Sequence, residues 1–207
     1  AGQQDLRHIF DEPWLTGDLV ALAKPLCKWA QEVRSLEELG TLLRRAFKDA
    51  NTYPKGPVFI SLPQNFMEAE STHLTPAKSI LHTTSVAGGL EQLADLLNHH
   101  SPDDIAIIAG DEVNQANALE QLVRLAETLG ADVFGSALHH SVVFPSSHPL
   151  WCGSLKPVTA EIRQTLAQYK KIVLLGARSF MAYIYAPVSP VPDSASLLHL
   201  SADSAAT

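Results

Sequence analysis

A short run with almost no polar alternation, Val58-Phe59-Ile60-Ser61-Leu62 between Pro57 and Pro63, sets the first limit on what this chain can become. A strand with one face in water alternates apolar and polar residues, whereas a continuous apolar run needs cover on both faces, as in a parallel sheet. The pattern recurs. Ile105-Ala106-Ile107-Ile108-Ala109, Asp132-Val133-Phe134 and Ile172-Val173-Leu174-Leu175 each run into a glycine, and Leu197-Leu198-His199-Leu200 follows near the end.

Helical stripes lie between these runs. Ser35-Leu36-Glu37-Glu38 has the spacing of a capping box, with the Ser hydroxyl accepting from the N–H three residues on and Glu38 reaching back, so a helix is expected to start there. Leu36, Leu39, Leu43, Ala46, Phe47 and Ala50 form its apolar stripe; Asn51 and Thr52 end it before the turn Tyr53-Pro54-Lys55-Gly56-Pro57. Leu90, Leu93, Ala94 and Leu97 mark a second helix ending at Asn98-His99-His100, and Ser101 to Asp104 makes a turn. After the strand at 105–109, Gly110 permits a tight bend into a helix whose Leu119, Leu122, Val123, Ala126 and Leu129 face the core, with Gly130 as its C-terminal cap. A long loop through Trp151 and Gly153 follows the strand at 132–135, then a helix over Glu161 to Tyr169.

Short buried strands alternating with helices predict an α/β fold: a parallel sheet in a three-layer helix/sheet/helix arrangement, of Rossmann-like topology. The polar stretch from Glu68 to about Val86 has Pro76 and no sustained period, which predicts a linker at 67–85 between an α/β portion at 1–66 and a second domain at 86–207.

A net charge of −7 argues against a nucleic-acid partner, which would need clustered Lys and Arg. No apolar run approaches the roughly 20 residues that span a bilayer, and the opening residues lack the charged and apolar regions of a signal peptide, so a cytoplasmic location is expected. Cys27 and Cys152, too few and too far apart for a disulfide framework or zinc site, are expected to be buried thiols.

The strand, glycine and helix at Ile108-Ala109-Gly110-Asp111-Glu112 have the order of a dinucleotide-binding unit, but Glu112 and Gln115 stand where two more glycines belong. Two acidic side chains there would face a pyrophosphate. His99-His100 and His139-His140 are adjacent pairs, which do not converge on one ligand. The first pair suits a helix C-terminus. His139 and His140 stay as candidate ligands because their loop lies beyond the carboxyl end of a strand. No serine sits in a nucleophile elbow, and no metal site is expected.

Three segments in order, Ala1-Gly2-Gln3-Gln4-Asp5-Leu6-Arg7-His8, Leu26-Cys27-Lys28-Trp29 and Gly56 to Met67, resemble the thiamine diphosphate-dependent 2-keto acid enzymes, nearest the benzoylformate decarboxylase branch, with acetolactate synthases more distant. The resemblance implies an interior fragment: the C-terminal part of a pyrimidine-binding domain at 1–66, then a central domain at 86–207. It implies thiamine diphosphate and magnesium in the parent protein, a 2-keto acid substrate and a homodimer or tetramer. Gly110-Asp111-Glu112 is not the family's magnesium motif, which continues Gly-Asp-Gly, so neither cofactor is expected on this fragment.

By the same resemblance, Gly2 and Gln3 lie near the cofactor cleft, and Trp14 and Leu15 fall where an apolar wall meets the substrate's ring. Tyr183 stands where benzoylformate decarboxylase carries a catalytic histidine; a tyrosine donates a hydrogen bond but is a poor acid or base near neutral pH. Arg178 is the one hint toward FAD, which the benzoylformate decarboxylase branch lacks, so FAD is not expected. Two alternatives stay open: a non-catalytic scaffold or dimerisation module, and an FAD-binding central domain of acetolactate synthase type.

Overall fold

A computed structural model describes residues 1–70, 88–98, 101, 104–184 and 186–203. The chain falls into two compact units, Ala1–Ser85 and Val86–Thr207. Most of the linker expected at 67–85, and the pair His99-His100, lie outside the described residues.

The first unit is built on a three-stranded parallel sheet in the order β1 (Gly2–Gln3), β3 (Val58–Pro63), β2 (Trp29–Glu32). Helices α1 (Leu19–Ala23), α2 (Leu39–Asn51) and α3 (Gln64–Met67) follow the three strands. The expectation that β3 is covered on both faces needs correction. Only Ser61 and Pro63 are buried in it, while Val58, Phe59, Ile60 and Leu62 stay half-buried. The described helices give partial cover, and within α2 Ala46 alone is buried, with Phe47 70% exposed.

Helix α2 also starts later than its capping box implies. Residues 36–38 form a turn, the helix opens at Leu39, and the Glu38 carboxylate accepts from the Arg34 N–H instead of reaching Ser35. Its end falls where Asn51 and Thr52 place it. Their side chains donate to the carbonyls of Phe47 and Lys48, both at 2.8 Å. Lys28 adds a cation at this end, Nζ lying 2.6 Å from the Asp49 carbonyl, where the helix dipole favours positive charge.

The second unit holds the larger core. After α4 (Leu90–Asn98), five parallel strands form a sheet in the order β6 (Trp151–Ser154), β5 (Asp132–Gly135), β4 (Ile105–Ala109), β7 (Lys171–Leu175), β8 (Ser196–Leu200). The first strand in sequence is central and the chain winds outward in both directions, the doubly wound arrangement expected of strands alternating with helices. All five residues of β4 are buried. Ile105 and Ile107 point into one apolar cluster with Val133, Val173 and Leu122 of helix α6 (Leu119–Leu129); Ile108 points into the other with Ile172, Leu174 and with Ile162 and Leu166 of helix α7 (Thr159–Leu166). Period-two side chains thus feed a core on each face of the sheet.

Gly130 closes α6 in the left-handed region, φ 60°, as its sequence position implies. Helix α7 spans 159–166 rather than 161–169. Tyr169, beyond its end, is buried against the edge of Phe134 at 6.0 Å, and its hydroxyl donates to Asp132 at 2.5 Å. The long loop after β5 ends in a strand that no apolar run announces: β6 pairs with β5 across a register shift between Val133 and Gly135. Neither cysteine is fully buried, contrary to expectation. Cys152 is exposed on edge strand β6 and Cys27 is half-buried beside a thinly covered sheet. Although the residue is exposed, partial desolvation of its thiol, then the Asp132 carboxylate, raises the Cys152 pKa, which disfavours the thiolate.

Candidate functional site

In a doubly wound sheet a ligand settles outside the carboxyl ends of the strands where the winding reverses, here between β4 and β7. The turns leaving those two strands press together. Gly110 N–H donates to the Leu175 carbonyl at 2.9 Å, and Glu112 N–H to the Gly176 carbonyl at 3.1 Å. A Cβ on Gly110 would lie 2.3 Å from the Gly176 oxygen and 2.5 Å from Ala177 Cα. The backbone of Gly110, φ −115° and ψ 178°, is open to any residue. The sequence reading gave this glycine a conformational role; its actual reason is close approach of two backbones.

The short helix α5 (Asp111–Gln115) begins at this seam, and its first two side chains reach in opposite directions. Asp111 accepts from His140 N–H at 2.9 Å, Ser141 N–H at 2.8 Å, the Ser141 hydroxyl at 2.6 Å and His140 Nδ1 at 3.0 Å. Partial burial is the largest influence on its pKa and raises it, but the hydrogen bonds from Ser141 and His140 together bring it below the usual carboxylate value. Glu112 accepts from the Ser201 hydroxyl at 2.9 Å and Ala202 N–H at 2.7 Å. One carboxylate ties down the loop after β5 and the other the turn after β8.

These residues do not fit a dinucleotide. The seam is filled by backbone, the Glu112 amide already has an acceptor, and the two residues opening α5 are acidic, their carboxylates engaged by the flanking loops. Arg178, the hint toward FAD, pairs with Asp203 at 3.4 Å, a carboxylate only 6% exposed.

His139 and His140 do not converge. His139 bridges the Ser141 carbonyl through Nδ1 and the Ser154 hydroxyl through Nε2, each at 2.9 Å, while the His140 side chain is exposed beside Asp111. Among the described residues no three His, Cys, Asp or Glu side chains are grouped to hold a metal ion, and no helix is long and apolar enough to cross a membrane. Tyr183 is 79% exposed; its N–H donates to the Pro157 carbonyl at 3.0 Å, beside the isolated bridge between Val158 and Ile184.

In the first unit the polar groups collect at the carboxyl ends of the strands. Gln3 is buried, and its amide is fully engaged: Nε2 donates to the Gly17 carbonyl at 2.8 Å and to Glu32 at 3.3 Å, and Oε1 accepts from Gln4 N–H at 2.9 Å. Glu32 also accepts from the fully buried Ser61 hydroxyl at 2.9 Å. Gly2, adjacent on β1, faces Met67 Cε, 3.8 Å from where its Cβ would be. Beyond these ends lies an open cleft of 530 Å³ whose lining includes Arg7, Arg34 and Asn65. The Arg7 guanidinium grips Asp5 through both carboxylate oxygens and, by its hydrogen bonds, draws that carboxyl down to about 2. Trp14 and Leu15 are 87% and 70% exposed, and Leu15 holds φ 71°, a left-handed conformation costly for a branched side chain.

Sequence reasoning located Gly110, Asp111 and Glu112 but not the groups they hold. Ser141 and Ser201 lie 30 and 89 residues away, and a contact at that separation leaves no periodic trace. The network of Glu32 and Ser61 was missed for the same reason.

Fold and site together define a doubly wound α/β unit whose turns after β4 and β7 press backbone against backbone at the switch point. The chain belongs to the thiamine pyrophosphate enzyme family: the model of that family's central domain matches residues 90–207. It is 27% identical over 208 residues to benzoylformate decarboxylase of Pseudomonas aeruginosa, a match covering 98% of this chain and 39% of that protein. Its fold superposes with a TM-score of 0.85 on the thiamine diphosphate-dependent 4-hydroxybenzoylformate decarboxylase of Rhodococcus jostii, at 29% identity over 98% of this chain and 39% of that one. For benzoylformate decarboxylase from Polynucleobacter necessarius the TM-score is 0.82, at 26% identity over 99% and 38% of the two chains. The chain therefore spans about two fifths of the length of these relatives.

Proposed function

We propose that the chain is part of a thiamine diphosphate- and magnesium-dependent enzyme that decarboxylates or carboligates 2-keto acids, of the benzoylformate decarboxylase type. Residues 1–66 would be the second half of its pyrimidine-binding domain and 86–207 its central domain. The observation that carries this reading is a likeness to a 4-hydroxybenzoylformate decarboxylase that runs through both units, over 98% of the chain at a TM-score of 0.85.

In such an enzyme the bond-breaking chemistry is the cofactor's, and the protein supplies binding, orientation and electrostatics. The described residues here do not suit the anchoring role: the Gln3 amide has its partners inside the fold, and no cluster of metal ligands accompanies it. The contribution assigned to this chain is shape. Trp14 and Leu15 give an exposed apolar surface, suited to an aromatic substrate ring once other parts of a cytoplasmic dimer or tetramer close over it. Tyr183 offers a hydroxyl donor where a histidine base would serve proton transfer. The central domain acts as a scaffold, with its dinucleotide crevice sealed.

The test uses the full-length protein encoded by the surrounding reading frame, loaded with thiamine diphosphate and magnesium. Release of carbon dioxide from benzoylformate is expected. Trp14→Ala should lower kcat/KM for benzoylformate by about 10-fold or more while sparing pyruvate, the range for loss of an apolar contact to part of a substrate. No carbon dioxide from any 2-keto acid would overturn the proposal.

A further inference from the structure

Ser154 ends strand β6 at the edge of the sheet, exposed to solvent. Its hydroxyl lies 2.9 Å from Nε2 of His139, and Nδ1 of the same ring lies 2.9 Å from the Ser141 carbonyl. A carbonyl can only accept, which assigns the ring proton of neutral His139 to Nδ1 and leaves a lone pair on Nε2 for the Ser154 hydroxyl. That is the tautomer a general base requires. The orienting group is itself fixed, because Ser141 donates its N–H and its hydroxyl to Asp111 at 2.8 and 2.6 Å. Nucleophile, base and orienter thus stand in hydrogen-bonded sequence.

The backbone makes room for the pair. A Cβ on Gly135 would sit 2.7 Å from His139 Nε2 and 3.0 Å from Ser154 Oγ, so only glycine lets both lie against β5. Gly153, just before the serine, holds φ 92°, and Ser154 itself is exposed to solvent at the end of the edge strand.

We propose that Ser154 is a nucleophile activated by His139 and that it takes up acyl or phosphonyl groups from reactive esters and fluorophosphonates. With an ester, Ser154 Oγ attacks the carbonyl carbon and the bond from that carbon to the alcohol oxygen breaks. The hydroxyl proton passes to His139 Nε2 and on to the departing oxygen. The products are an acyl-serine and an alcohol; with a fluorophosphonate, Ser154 Oγ attacks phosphorus, the P–F bond breaks and fluoride leaves while His139 takes the hydroxyl proton, giving a phosphonyl-serine and HF, and neither reaction changes an oxidation state. The next amide along, Leu155 N–H, is held by the Gly135 carbonyl at 2.9 Å and gives no help to a developing oxyanion. Acylation is therefore slow and the adduct long-lived, so the site reacts once and does not turn over rapidly. This inference stands apart from the 2-keto acid reading, since it needs neither cofactor nor the rest of the parent.

The experiment treats the chain with a fluorophosphonate probe and with p-nitrophenyl acetate and maps the adduct by peptide mass spectrometry. A single adduct on Ser154 is expected, unchanged in Cys152→Ala and absent in Ser154→Ala. His139→Gln keeps an acceptor for the hydroxyl but removes the base, and should slow labelling by about 100-fold, the lower end of general-base contributions. Hydrogen exchange of the β5 amides, unaltered in His139→Gln, shows that the loss is chemical and not a loss of fold. Absence of label on Ser154, label distributed over other residues, or an equal rate in His139→Gln would each overturn the proposal and leave the pair a structural strut.

Discussion

Gly110→Ala is expected to destabilise the second unit by about 3–5 kcal/mol. The alanine backbone itself would be unstrained at φ −115°, so the cost is wholly steric. The new Cβ would meet the Gly176 oxygen at 2.3 Å and the Ala177 Cα and Cβ at 2.5 Å, atoms of backbone or bound tightly to it. Relief requires the turns after β4 and β7 to part, which breaks the Gly110 to Leu175 and Glu112 to Gly176 hydrogen bonds at the centre of the sheet. Gly88→Ala is the control: nothing lies within 4 Å of its Cβ position, and a change within about 0.5 kcal/mol is expected. Hydrogen exchange of the Ile105 to Ala109 amides reads the difference. Equal protection in the two variants would show that the seam is loose.

Asp111→Ala should cost about 2–3 kcal/mol and act locally. Hydrogen bonds to a carboxylate are worth more than neutral ones, but Asp111 keeps a quarter of its side chain in water, which tempers the loss. Without it the Ser141 hydroxyl and the His140 and Ser141 amides lose their acceptor, and the loop around them is left to the weaker tie from the Asn114 amide of α5 to the Val142 carbonyl at 3.2 Å. The Ser141 amide should then exchange freely and proteases should cut near His139, while β4 and β7 keep their protection. Acid should imitate the substitution. The folded pKa of Asp111 lies below its unfolded value, so the tie adds stability that is complete above the ordinary carboxylate range, about 3.9, and is lost as pH falls below it. A Ser141 amide that stays protected in Asp111→Ala would disprove the anchoring role.

The parts of the fold that the sequence discloses are those buried on all sides. Ile105 to Ala109 reads as a strand because every residue is apolar, and each proves buried; α6 reads clearly because its stripe ends on Gly130 in the left-handed region. Edges are harder. Trp151-Cys152-Gly153-Ser154 alternates half-buried and exposed positions, contains a glycine and pairs through a register shift, so β6 looks like loop until β5 is placed beside it. Helix α2 begins late because Glu38 binds the Arg34 amide, a choice among near neighbours that the capping spacing alone does not decide.

The site divides in the same way. That Asp111 and Glu112 spoil a pyrophosphate site is visible from charge and position, whereas their partners Ser141 and Ser201 come together only through the sheet order. Trp14 and Tyr183, singled out through resemblance, are among the most exposed large side chains described. Large exposed apolar side chains of this kind mark surface suited to contact with a ligand or partner.

The central reading is that this chain shapes a thiamine diphosphate enzyme without itself anchoring the cofactor, and calorimetry of the purified chain tests it most directly. Titration with thiamine diphosphate in the presence of magnesium should give no heat beyond dilution, because the described residues offer neither a metal-binding cluster nor a free Gln3 amide. Saturable binding in the micromolar range would contradict it.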